Sequence, residues 1–191
     1  MKAYILLAEG FEEVEALTTA DILSRAGVTV TLVKIPTDST DANNDFVRGS
    51  HKITVKPDII LKEDNDYMLL ADGDCIVLPG GMPGTTHLAE SPACRQLIKT
   101  YSDNKKHIAA ICAAPSVLGE NGILEGKTAT CFPGFESKLK GVKYVDAPAV
   151  TDGNIITGKS MGCAVSFALA VTQALAGKEI ADKVEASIFR G

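Results

Sequence analysis

No block of basic residues occurs in this chain, and its formal net charge is -5. That balance gives no bulk electrostatic hold on a phosphate backbone, so nucleic acid is excluded as a partner. Long apolar runs are equally scarce. The opening run, residues 3–8, is stopped by Glu9 and has no small-residue cleavage site, so it reads as a strand and not as a signal peptide. Residues 161–176 fall short of the ~20 that a membrane span requires; they read as a buried helix, and no membrane partner is expected. Five cysteines, an odd number without CxxC spacing, describe neither a disulfide framework nor a zinc site, and they fit a reducing cytoplasm. There is no GxSxG, no P-loop, no repeat and no low-complexity tract. Of the histidines, His107 directly precedes a strand and belongs at the amino end of a sheet, while His51 and His87 fall in or beside loops. None stands in a Cys-His arrangement by position, and none is assigned to catalysis.

What is present is an alternation of strands and helices. The chain has 191 residues, 46% of them hydrophobic, enough to bury ~70% of its unfolded surface around one core. A single domain over residues 1–191 is the expectation. Strand 2–7, helix 12–25 and strand 28–33 make a βαβ unit, with Gly27 closing the helix. A polar loop at 36–50 precedes a short strand at 52–56. Strand 75–78 ends in PGGMPG, helix 92–104 leads to strand 108–111, and a further strand is expected at 127–131. Extended pieces come next at 142–145 and 149–151, Asp152-Gly153 turns a hairpin into 155–157, and helices at 161–176 and 179–188 close the chain. Such alternation predicts a mostly parallel sheet with helices on both faces.

The chemistry gathers at KKHIAAICAAPSVLG, residues 105–119. An apolar strand stops at Cys112 and turns through Ala113, Ala114 and Pro115 into a helix, which lifts the cysteine side chain to the carboxyl end of the sheet, where open α/β folds place their ligands. A helix N-terminus beside a thiol favours thiolate and lowers its pKa below ~8.5. The alternative is a buried cysteine packed as a small hydrophobe. The glycines of PGGMPG allow close backbone approach to a ligand or simply make a turn. Glu12, Glu13 and Glu15 open the first helix, where acids complement the helix dipole without further role. Glu15 differs by angular position and can lean towards the carboxyl edge of the sheet.

EGFEEVEAL, VLPGGMPG, AAICAAPSVL and TGKSMGCAVSFALA, in this order across nearly the whole chain, resemble the ThiJ/PfpI superfamily, on the branch of the Parkinson-disease-associated protein deglycase. The resemblance implies a flavodoxin-like α/β sandwich of the class I glutamine-amidotransferase-like kind, a homodimer, and no cofactor or metal. It also implies a nucleophile at Cys112, a helix-borne acid at Glu15 and oxyanion-binding amides at Gly81 and Ala113. A carboxylate beside a thiolate raises both pKa values, so one shared proton is expected, with Glu15 donating to the Cys112 sulfur. A small aldehyde substrate, a 2-oxoaldehyde such as methylglyoxal or its amine adduct, is implied by the same resemblance.

Departures from the family pattern bear on that implication. Phe132 stands before Pro133 where many relatives carry a histidine, which removes a proton carrier. Ala113 follows the cysteine where the intracellular protease branch has histidine, which disfavours proteolysis. Cys131 is either a packed strand residue or a resolving thiol, and Lys159, matching an arginine of some relatives, is either an anion holder or an exposed lysine. The alternative to an enzyme is a redox-responsive stress protein or holdase in which peroxide oxidises Cys112.

Overall fold

After Lys2 the run AYILL offers no charged side to water, and the structure buries it in a strand between two neighbouring strands. This computed structural model describes residues 1–189. In chain order it contains β1 (Lys2–Leu7), α1 (Glu13–Arg25), β2 (Thr29–Lys34), α2 (Ser39–Ala42), β3 (Val47–Arg48), β4 (Thr54–Val55), β5 (Ile59–Ile60) and β6 (Cys75–Leu78). The second half adds α3 (Gly84–Glu90), α4 (Pro92–Asp103), β7 (His107–Ile111), α5 (Pro115–Glu120), β8 (Thr128–Ala129), β9 (Lys143–Tyr144), β10 (Ala149–Asp152), β11 (Ile155–Gly158), α6 (Ala164–Ala176) and α7 (Lys178–Ser187). Among the described residues the main sheet runs β10-β11-β7-β6-β1-β2-β5, and only β10, joined to β11 through the Asp152-Gly153 hairpin, is antiparallel. This is the expected flavodoxin-like sandwich. No described helix is long and apolar enough to cross a membrane.

Successive side chains of a strand point to opposite faces, and β1 shows what that does here. Tyr4 and Leu6 enter one core layer with Leu97, Ile98 and Tyr101 of α4 and Val117 and Leu118 of α5. Ala3, Ile5 and Leu7 enter the other with Ala16 and Leu23 of α1 and Phe167 and Val171 of α6. Covering both faces is why the central strands read as unbroken apolar runs.

Several expectations shift. The polar loop at 36–50 and the strand at 52–56 become α2 and the small β3–β4 hairpin. The cause is Lys34, which ends β2 with 0% exposure. Its Nζ donates to the carbonyls of Asp41, Asn44 and Phe46 at 2.7, 2.9 and 2.9 Å and pairs with the Asp41 carboxylate. A buried ammonium needs such partners, so the segment folds around it. The helix α3 has no counterpart in the sequence reading, because it begins directly after Met82 and Pro83, at Gly84, among residues that punctuate loops. Strand 127–131 shortens to β8, with Thr130 and Cys131 outside it, and the helix expected from 161 starts as a 3₁₀ turn before α6. Ser91 caps α4 by accepting from Cys94 N–H at 3.2 Å, with Pro92 in the first turn, which satisfies one of the free amides at the helix start.

Replacing Lys34 by Met would strand the carbonyls and the Asp41 carboxylate it holds. The expected loss of stability is about 3 kcal/mol, measured as a lower urea midpoint; an unchanged midpoint would show that water can satisfy this loop.

Candidate active site

Strand β7 runs through the buried residues Ile108 to Ile111 and delivers Cys112 at the carboxyl edge of the sheet, beside the end of β6. Cys112 adopts φ +65°, a left-handed conformation that costs a side-chain-bearing residue about 1–2 kcal/mol. Neighbouring segments hold it there. Its N–H donates to Gly158 O of β11 at 2.9 Å, and its carbonyl accepts from Phe132 N–H at 2.8 Å. The strained turn leaves Cys112 partly exposed, as Cys163 also is, whereas Cys75, Cys94 and Cys131 are buried.

The acid arrives from α1. Glu15 is 1% exposed, its Oε2 accepts from Gly80 N–H at 2.7 Å, and its Oε1 has no hydrogen-bond partner among the described residues. Gly80 is the contact point between acid and thiol. A Cβ on it would lie 2.7 Å from Cys112 Cβ and 2.8 Å from Glu15 Oε2, so no larger residue fits. Gly81 has φ +88°, and a Cβ there would lie 2.4 Å from Glu12 N. The backbone therefore passes close enough for the amides of Gly81 and Ala113 to face the sulfur.

Charge in this enclosure is tightly limited. Burial pushes Glu15 up to about 7, against the pull of the Gly80 amide and the thiol, and the carboxylate of Glu12 adds to the rise. Burial also pushes the Cys112 thiol up to about 12, the neighbouring Glu15 carboxylate raises it further, and the amides of Ala113 and Gly81 pull it down. The expected lowering of the thiol by a helix N-terminus is thus corrected. The helix α5 is only six residues long, and its dipole does not offset burial beside a carboxylate. Two anions do not fit together here. Once Glu15 ionises, the pair holds a single negative charge and one proton. No hydrogen bond of good geometry joins the two groups in the described conformation, although they interact electrostatically.

The structure therefore brings Cys112, Glu15, Gly81 and Ala113 together. It leaves others apart. Cys131 is fully buried in the core layer containing α4, with its thiol raised to about 11 by burial first and then by Glu136, while Cys112 packs against the opposite layer. Lys159, just after β11, pairs with Asp146. Phe132 is 42% exposed beside the Cys112 carbonyl, edge-on to Phe135 at 6.5 Å. His107 opens β7 at the amino end, and His87 Nδ1 donates to Glu9 O at 2.8 Å.

Glu13 and His51 carried no signal in the sequence, because their partners lie some forty residues away. Glu13 is 2% exposed and accepts from the N–H groups of His51 and Ile53 at 2.8 and 3.2 Å. Burial raises its pKa, but its own backbone amide and those of His51 and Ile53 reverse the balance and hold it below the ordinary value. It fastens the β3–β4 hairpin to α1.

A flavodoxin-like sheet whose strand ends in a strained, partly exposed cysteine facing a buried helix acid defines a class of cysteine-centred α/β proteins. Within that class, residues 1–174 match the DJ-1/PfpI family, and the chain belongs to it. It is 35% identical over 191 residues to the Parkinson disease protein 7 homolog of Danio rerio, covering 98% of this chain and 96% of that protein. It is also 35% identical over 180 residues to the glutathione-independent glyoxalase DJR-1.2 of Caenorhabditis elegans, covering 93% and 90%. The crystal structure of Drosophila melanogaster DJ-1beta superposes with a TM-score of 0.88 at 34% identity, covering 100% of this chain and 98% of that one.

The raised Glu15 pKa has a thermodynamic consequence. A carboxyl whose value rises from 4.5 to about 7 on folding contributes stability that is complete below pH 4.5 and lost as pH rises through 7. Glu15→Gln, which mimics the neutral acid, should remove that slope and leave the protein about 3 kcal/mol more stable than the parent at pH 8. Urea unfolding at pH 5 and pH 8 measures it; parallel pH profiles for the two proteins would contradict the assignment.

Proposed function

We propose that this chain is a cysteine-dependent glyoxalase or deglycase-type enzyme that turns small 2-oxoaldehydes, or their amine adducts, into hydroxy acids without glutathione. One observation carries the reading: a buried carboxyl raised to about 7 faces a partly exposed thiol on a strained elbow. An acid with that value can give and take protons at neutral pH. The relative whose name is a glutathione-independent glyoxalase supports the same reaction class.

The residues then take these roles. The sulfur of Cys112 adds to the aldehyde carbon, and the proton shared with Glu15 passes to the new alkoxide, giving a hemithioacetal. While the oxygen carries charge it is met by the amides of Gly81 and Ala113, which are already in place and need no reorganisation. Glu15, now ionised, takes the hydrogen of C1 as a proton and returns it to C2, which converts the hemithioacetal into the thioester of a 2-hydroxy acid. Water cleaves the thioester, the hydroxy acid leaves, and the thiol is restored. For methylglyoxal, one aldehyde and one water give one lactate and one proton. The chain acts as a homodimer, for which Val14 and Leu17 of α1, 45% and 38% exposed, offer an apolar face.

A second reading rests on the partly exposed Cys112 thiol and the amides beside it, a combination that Cys163, also partly exposed, does not share among the described contacts. Cys112 is open to peroxide, and the Gly81 and Ala113 amides that meet an alkoxide can equally meet the oxygens of a sulfinate. Intact-mass measurement after mild peroxide decides it: selective gain of two oxygens, abolished in Cys112→Ala, is the expected result of a sensor, and unselective oxidation of several thiols removes it.

For the enzyme, Cys112→Ala and Glu15→Gln should each lower conversion of methylglyoxal to lactate by roughly 100-fold or more. The parent's kcat/KM should rise with pH through about 7, as Glu15 loses its proton and the pair gains its single charge. Turnover retained by Cys112→Ala would sink this reading.

A further inference from the structure

Single apolar side chains at a surface need no explanation, but a group of them beside a reactive thiol does. Met82 follows Gly81, whose amide faces the Cys112 sulfur, and is 53% exposed. Phe132, also exposed, has its backbone on the Cys112 carbonyl and its ring edge-on to Phe135. Met82 and Phe135 line one cleft of about 290 Å³, between α3, α5 and the segment after Phe132. Ser116 lines it too, and its hydroxyl donates to the carbonyl of Ala113 at 2.7 Å. Each wall of the cleft is therefore tied to the cysteine elbow, through Gly81, through Phe132 and through Ala113. The charges that border it, Arg95 and Lys138 against Glu90 and Glu120, are equal in number and opposite in sign, so the cleft has no preference for an ion.

We infer that Met82, Phe132 and Phe135 form an apolar subsite for the substituent on C2 of the substrate, and that it directs this chain to 2-oxoaldehydes bearing an aromatic ring. The inference rests on the glyoxalase reading. Methylglyoxal presents only a methyl group at C2, which leaves most of the cleft to water. A phenyl ring removes far more apolar surface from water, and both aromatic edges and methionine sulfur make favourable contacts with such a ring. The cleft is at the small end of the range for small-molecule sites, which suits one ring and not a peptide. The chemistry is unchanged. The Cys112 sulfur adds to the aldehyde carbon of phenylglyoxal, the hydrogen of C1 moves as a proton to C2, and water cleaves the thioester. One phenylglyoxal and one water give one mandelate and one proton.

Initial rates with phenylglyoxal and methylglyoxal, read as mandelate and lactate before arginine modification accumulates, test the subsite. In the unmodified protein kcat/KM should be about tenfold or more higher for phenylglyoxal, with the difference lying in KM. Phe132→Ala and Met82→Ala should each lower that preference by about threefold or more, by raising KM for phenylglyoxal. Phe132→Leu, which keeps an apolar side chain, should retain most of it. A preference that both alanine variants leave intact would overturn the subsite, even if kcat fell for both aldehydes alike, since Phe132 would then only support the elbow. Turnover of methylglyoxal without a preference for phenylglyoxal removes the subsite and leaves the glyoxalase reading standing. If neither aldehyde is turned over, that reading falls and the subsite with it.

Discussion

A single negative charge, confined between the carboxyl of Glu15 and the sulfur of Cys112, is the constraint to which the rest of this molecule answers. Burial raises both groups, and the Glu15 carboxylate raises the thiol further. The enclosure accepts one anion and one proton and resists a second anion. Gly80 sits between them and fits only because it has no side chain. On one side of it the N–H group holds Glu15; on the other the carbonyl holds the start of α1 through Glu12. A helix from one βαβ unit and an elbow from another are thus locked together by one glycine.

The fold makes that lock rigid. Strand β7 lies between β6 and β11 in a fully covered sheet, so the backbone of Cys112 has no freedom to relax out of its left-handed turn. Around the acid, Glu13 ties the β3–β4 hairpin to α1, and Lys34 gathers the preceding segment onto the end of β2. These are buried charges with several backbone partners each. The ion pairs Arg25–Asp21, Lys99–Asp103, Lys178–Asp182 and Lys183–Glu179 are exposed pairs within helices, and pairs of that kind add little stability. Electrostatics matters in this protein where water is kept out.

Both proposed uses of Cys112, addition to an aldehyde and oxidation by peroxide, draw on the same preparation: a sulfur that can be reached, amides that receive new oxygens, and a nearby proton. They part after the sulfur has reacted. An enzyme must return its proton to C2 and send another to water on every cycle, so it needs Glu15 to change state repeatedly. A sensor needs the charge to be tolerated once. The value near 7 for Glu15 suits a group that changes state at neutral pH, and so favours the proposed aldehyde reaction.

The alternation of apolar runs with helical segments and the hairpin at Asp152-Gly153 are local properties, and they determined the sheet, its helices and its antiparallel edge. The position of Cys112 at a strand-to-helix turn is local too. The motifs in their order pointed to the family, and through it to Glu15, Gly81 and Ala113. Other features depend on atoms far apart in the chain. Lys34 finds its carbonyls in a loop that looked merely polar, and the partners of Glu13 come from a hairpin some forty residues on. The balance of the thiol was decided by tertiary structure alone: a helix of six residues, a buried carboxylate and two amides outweigh one another by distance and exclusion of water, quantities that a one-dimensional pattern does not contain.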